Sequence, residues 1–172
     1  MPDSTDAPSF TDAIALLKAD HRKVEGLFEQ FEKASGSNRK QALATQICNE
    51  LKIHTTIEEE IFYPAFQGKI EDDTLAEAYV EHDGAKVLIN DIMAASPGDD
   101  FYDAKVHVLS EEIKHHVHEE EMPGEGMFAQ CRKAGVDLIA LRDQMAARKA
   151  ELMRKVANGG LPAAELRVLH MA

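Results

Sequence analysis

The sequence has no apolar run of about eighteen residues or more, which excludes a transmembrane helix. Cysteine is scarce. Cys48 and Cys131 have no metal-motif spacing and no disulfide-rich context, so both read as ordinary thiols of a reducing cytoplasm. Positive charge is short: 19 Lys and Arg against 31 Asp and Glu leave a net charge of -12. That balance argues against nucleic acid and against an anionic membrane surface as partners. The opening Met1-Pro2-Asp3-Ser4-Thr5-Asp6 lacks the basic and apolar regions of a signal peptide, and a cytoplasmic location is expected. No stretch alternates in the two-residue period of a strand, so the expectation is all-α.

What the sequence does contain is helical apolar periodicity, interrupted by loop signals. Ser9-Phe10-Thr11-Asp12 has the form of a capping box and opens a first helix with the stripe Ile14, Leu17, Val24, Leu27, Phe28 and Phe31. Ser35-Gly36-Ser37-Asn38 ends it. A second helix is expected over residues 39–66, bent or loosened near Pro64, which has no backbone donor. A third fits residues 72–95, with Leu75, Tyr79, Leu88, Ile89 and Ile92 inward. A fourth begins near Phe101, carries Val106, Leu109 and Ile113, and is broken by Met122-Pro123-Gly124-Glu125-Gly126 before resuming over residues 127–133. A further helix over residues 136–156 and a short helix within the Leu161 to Ala172 tail complete the reading. Four helices with short connections imply an antiparallel up-down-up-down bundle. The chain accordingly divides into a flexible N-terminus (1–10), the bundle (11–134) and a C-terminal helical extension (135–172).

Chemistry enters where the stripes turn polar. His54 and Glu58 fall on the second helix's buried stripe, four residues apart and one above the other. Leu109, Ile113, His116 and Glu120 repeat the spacing of Ile47, Leu51, His54 and Glu58. His21 and His82 fall on the stripes of the other two helices. A carboxylate on a core stripe is costly unless it is paired or bound to a metal. Four imidazoles and two carboxylates converging in a bundle form a natural dinuclear metal site, and that donor set suits iron, manganese or zinc. The candidate ligands are His21, His54, Glu58, His82, His116 and Glu120.

Each piece alone has a plainer meaning. A single His on an apolar face is more often a hydrogen-bonded core residue, and a Glu run is ordinarily a solvated face, which is the reading for Glu59, Glu60, Glu119 and Glu121. In the fourth helix His115 with Glu119 also has the four-residue spacing. The His116 and Glu120 register is preferred because it lies in line with Leu109 and Ile113, whereas His115 lies about 120° from Leu109 around the axis. His107, His118 and His170 read as exposed.

Ala19-Asp20-His21, His54-Thr55-Thr56-Ile57-Glu58-Glu59 followed by Tyr63-Pro64, Glu81-His82-Asp83 and His116-Val117-His118-Glu119-Glu120 together resemble the hemerythrin-like HHE cation-binding domain, over residues 11 to about 134. The resemblance implies a non-haem centre of two iron ions, bridged by Glu58 and Glu120 and an oxo or hydroxo group. It also implies a small diatomic or peroxide ligand, in oxygen binding, redox sensing, iron handling or protection against oxidative or nitrosative stress. Two positions depart from the oxygen carriers of that family. Lys86 stands where they have a second third-helix His, and Glu120 and Glu121 stand about where they have an Asp. The missing imidazole leaves a coordination position open, or filled by water or by a carboxylate such as Glu59 or Glu81. An alternative function is an iron- or redox-responsive interaction module in which the C-terminal segment contacts a second copy or another protein.

Overall fold

The computed structural model describes residues 10–171. Its helices, in chain order, are α1 (Ala13–Lys33), α2 (Ser37–Ile57), a π-helical turn (Glu58–Phe62), α3 (Tyr63–Phe66), α4 (Asp72–Ala94), α5 (Tyr102–Glu121), α6 (Met127–Lys133) and α7 (Leu138–Ala157). Among the described residues every regular element is helical. α1, α2 with its π turn and α3, α4 and α5 are the four helices of an all-α bundle, as the apolar periods predict. Asp12 caps α1 by accepting the Ala15 amide at 2.8 Å, an arrangement that satisfies one of the orphan donors of the first turn. Ser9, the cap expected from the sequence, lies outside the described residues, as does the rest of the 1–9 segment. Gly36, at φ +88°, makes the tight turn into α2 that an L side chain would resist.

Pro64 acts one turn earlier than a simple kink. It has no N–H to return to the Glu60 carbonyl, and its ring crowds that carbonyl. The chain widens into the π turn over Glu58–Phe62 and then resumes α-helical geometry. The Met122–Gly126 break does not bend α5 either. It ends the helix at Glu121 and folds the chain back so that α6 covers the bundle end. Gly126 is required there, because a Cβ would lie 2.7 Å from the Met122 nitrogen and 2.8 Å from the Glu119 carbonyl oxygen.

The apolar side chains form two plugs. One gathers Ile14, Leu17, Ile57, Phe62, Phe66 and Phe128, and α7 adds Leu141, Met145 and Leu152 to it. The other gathers Val24, Phe28, Ile47, Leu51, Ile89 and Leu109. Each fully buried side chain of this size contributes about 1.5–3 kcal/mol. The polar layer described below lies on the same helices between the two plugs.

The tail departs from the expected short helix. Residues 160–171 have no helical turn, and the segment lies against the bundle in an open conformation. Its backbone is satisfied by bundle side chains instead. Lys52 donates to the Pro162 carbonyl, Asn90 exchanges two hydrogen bonds with Ala164, and Asp83 accepts the amides of Arg167, Val168 and Leu169. A dozen residues interrupted by Pro162 cannot match those partners with an isolated helix.

Candidate metal centre

All six sequence-derived candidates are buried and meet in the middle of the bundle. His21, His54, Glu58, His82, His116 and Glu120 are each at most 6% exposed. They fall into two overlapping groups. One is His21, His54, Glu58 and Glu120; the other is Glu58, His82 and His116. Glu58 belongs to both, its Oε2 lying 3.2 Å from the Nε2 of His54 and 3.2 Å from that of His82. Glu120 also spans them, with Oε2 3.2 Å from His21 and Oε1 3.3 Å from His116. The preferred fourth-helix register is therefore the inward one. His115 is exposed, with Glu119 beside it at the surface.

Each imidazole turns Nε2 inward and gives Nδ1 to a carboxylate from another helix. Glu121 holds His21 at 2.6 Å, Asp20 holds His54 at 3.4 Å, Glu59 holds His82 at 2.9 Å, and Glu81 holds His116 at 2.5 Å. The pairs close a ring: α1 grips α2, the π turn grips α4, α4 grips α5, and α5 grips α1. A carboxylate on Nδ1 selects the tautomer with the proton there and leaves the Nε2 lone pair facing the interior. The expected solvated faces at Glu59 and Glu121 are thereby corrected. Glu59 is 4% exposed and pairs with His82 and Lys86, while Glu121 is half-buried against His21. Glu60 does face outward, in a fork with Arg148.

Lys86 and Tyr63 take separate places around this layer. Lys86 stays buried but turns to the outer carboxylates, between Glu59, at 2.8 Å, and Asp83, at 3.2 Å. Glu59 and Glu81 stay on the Nδ1 side of their histidines. The Tyr63 hydroxyl enters instead, 3.2 Å from Glu58, 3.1 Å from His82 and 3.0 Å from Glu120. Tyr63 comes five residues after Glu58. In a regular α-helix that offset would point it about 140° away, but a π turn brings residues five apart onto one face. The tyrosine was visible in the sequence only as part of the Tyr63-Pro64 pair, and the ring of outer carboxylates only as neighbours of the histidines.

The charge balance of this layer is that of a cation site. Burial alone would lower the His21 imidazole, but the carboxylates of Glu120 and Glu121 beside it raise it to about 9. His82 and His116 are raised in the same way against burial, by their glutamate partners. Burial favours the neutral form of Glu120, yet His116 and His21 hold its carboxyl well below the usual range. Tyr63 is pushed well up by burial and by the Glu120 and Glu58 charges.

The donor set fits a metal on two direct observations. The Oε1 of Glu58 and the Oε2 of Glu120 are buried without a hydrogen-bond partner, a costly state for a carboxylate oxygen. The Nε2 atoms of His21 and His54 face each other at 3.2 Å, as do those of His82 and His116. With each Nδ1 already donating to a carboxylate, these facing atoms are paired acceptors unless a proton or a cation stands between them. A cavity of about 20 Å³ borders the four histidines together with Ile113 and Val117, room for a water or a small diatomic molecule. None of the described helices is long and apolar enough to cross a membrane.

Comparison with known proteins agrees with this geometry. The sequence profile of the Hemerythrin HHE cation binding domain matches residues 12–123. A crystal structure of a hemerythrin HHE cation binding domain-containing protein from Mycobacterium kansasii shares the fold. Its TM-score is 0.71 at 22% identity, covering 90% of this chain and 98% of that one. A curated relative from Nostoc sp. (strain PCC 7120 / SAG 25.82 / UTEX 2576), described as a DNA nickase, is 29% identical over 117 residues. The match takes in 68% of this chain but spans only 32% of that relative's length.

Proposed function

This chain belongs to the hemerythrin HHE cation-binding domain family, and from that premise we propose that it is a non-haem di-iron protein that binds or reacts with O₂, peroxide or nitric oxide. The observation that carries this reading is the pair of histidine groups sharing Glu58 and Glu120, with buried carboxylate oxygens left unpartnered. His21 and His54 would hold one iron and His82 and His116 the other, with Glu58 and Glu120 between them and Tyr63 beside the second. Bound iron would supply the electrons and the open coordination position that a small oxidant requires.

The chain's own residues account for the selectivity. The four outer carboxylates fix the imidazoles so that binding costs little reorganisation. Two apolar plugs flank the layer, and the small cavity beside the histidines has room for a diatomic or peroxide. The test is metal analysis with an optical spectrum of aerobically purified protein. About two irons per chain with near-ultraviolet charge-transfer bands are expected, as for a dinuclear bundle site. His54→Ala should lose most of that metal while keeping its helical content. A variant with a full metal complement would overturn the ligand assignment.

A second reading, a redox-responsive interaction module, draws support from the tail. Arg167 Nε lies 2.6 Å from Glu59 Oε2, and Glu59 in turn holds His82. A change at the centre could thus alter how the tail docks. Truncation after Gly160 should then leave metal content intact and abolish any metal-dependent association with a second copy or a partner protein. Association that is the same with and without the tail would remove this reading.

A further inference from the structure

The second His–Glu pair of α5, turned away from the interior, has its own surroundings. His115 Nε2 lies 3.2 Å from Glu119 Oε1 and 3.4 Å from Glu81 Oε1. One donor atom from each of the three residues falls within 4.8 Å of the others. The cluster is not isolated from the centre. Glu81 uses its remaining oxygen, Oε2, to hold His116 Nδ1 at 2.5 Å. One carboxylate therefore touches both the outer cluster and an inner histidine.

Glu81 and Glu119 also line a cavity of about 630 Å³ whose other walls include Glu71, Glu77 and Glu125. Lys133 is the only Lys or Arg lining it among the described residues. His116 and Glu120 line the same cavity, and Glu120 is 1% exposed and carries an oxygen with no hydrogen-bond partner. One cavity is thus walled both by the two carboxylates that face His115 and by a buried carboxylate of the centre. A cleft lined by charges of one sign focuses the field and raises the local concentration of counter-ions.

We propose that Glu81, His115 and Glu119 form a transit site for a divalent cation, beside the acidic cavity through which the buried centre is loaded. This inference rests on the reading of the buried layer as a metal centre. The donor set fits the task. Two carboxylates match the charge of a divalent ion, and a nitrogen and oxygen mixture accepts Fe²⁺, Mn²⁺ or Zn²⁺. Only three protein donors are present and His115 is 64% exposed, so water completes the coordination and the ion can leave again. The inner groups offer four and three donor residues, all of them buried and joined through Glu58, so the gradient in burial runs inward.

The test uses the full metal-free chain mixed anaerobically with Fe²⁺ in a stopped-flow instrument. Uptake is read by quenching aliquots with a chromogenic ferrous chelator, and final metal content is read by elemental analysis. The variants are His115→Ala, Glu119→Gln and the two combined, none of which alters an inner donor. Glu111→Gln, on the outer face of α5 and paired only with Lys114, is the control. The double variant is expected to load about tenfold or more slowly, the low end of what electrostatic focusing gives. It should reach the same final content, and the difference should shrink as salt is raised. Loading at the wild-type rate to the same content would overturn the transit site and leave the centre standing. A reduced final content would overturn it too, by making His115 or Glu119 part of the holding site. If the wild-type chain takes up no iron, the metal centre itself fails and the transit site fails with it.

Discussion

Replacing Asp83 with asparagine should release the tail and leave the bundle folded. Asp83 is completely buried and accepts main-chain N–H groups from Arg167 at 2.9 Å, Val168 at 2.6 Å and Leu169 at 2.8 Å, with Lys86 at 3.2 Å. Burial would raise this carboxyl, but the three amides and Lys86 lower it to about 2 from 3.8. A drop of nearly two pH units corresponds to about 2–3 kcal/mol, at about 1.4 kcal/mol per unit. That is an upper value, because the tail residues that bind Asp83 are themselves exposed and screened by solvent. An asparagine offers one neutral acceptor oxygen and turns an NH₂ towards amide donors, so most of this contribution is lost. The docked tail should then open up to about 60-fold more often, which is the same energy expressed as an equilibrium constant. Hydrogen exchange at Arg167, Val168 and Leu169 reads this directly, with the amides of Leu109 and Ile113 as an internal reference for the bundle. Because the folded value lies below the unfolded one, the docking energy is present above pH 3.8 and fades as pH falls through about 2. Unchanged exchange at the three tail amides would refute the argument, and so would equal acceleration at the α5 amides.

Tyr63→Phe should keep its helical content but hold iron roughly 10–100-fold more weakly in chelator competition, the usual cost of losing a supporting group at a metal site. Undiminished retention would exclude the hydroxyl from the donor set. The metal-free chain should lose stability as pH rises. Its His21 is raised from 6.5 to about 9, so the contribution is complete below pH 6.5 and disappears as pH passes about 9. The loaded chain should show no such loss across that window, since a cation then takes the place of those protons. Melting curves with and without metal from pH 6.5 to 9 test this, and a metal-free midpoint that holds steady or climbs would contradict it.

How much of the site was legible depended on whether the signal was local. His21, His54, His82 and His116 stand out because each interrupts an apolar stripe within a single helix, and Glu58 and Glu120 follow their histidines by one turn. The outer carboxylates could not be assigned that way. Asp20 precedes His21 yet serves His54, and Glu81 precedes His82 yet serves His116. These pairings cross helices and depend on how neighbouring helices are rotated. Glu59 read with Glu60 as a surface acid because the widened turn that buries it has no apolar period of its own. The same turn hid Tyr63, since α-helical spacing assigns it to a different face from Glu58. The tail misled for the opposite reason. Its Ala and Leu content favours helix locally, but Asp83 and Asn90 supply better partners for its backbone from elsewhere in the chain.

The closed circle of carboxylate–histidine grips gives the bundle the mechanics of a hoop rather than of four separate staves. Load placed on any one helix is shared by both neighbours, and no joint can slacken without disturbing the next. Such a hoop aims the four imidazoles at the middle through protein groups alone. It tolerates loss of a member poorly, because a single missing carboxylate frees one imidazole to turn and leaves the far side of the circle unbraced. Across this chain, damage to an outer acid on one helix should therefore be felt first at a histidine belonging to another.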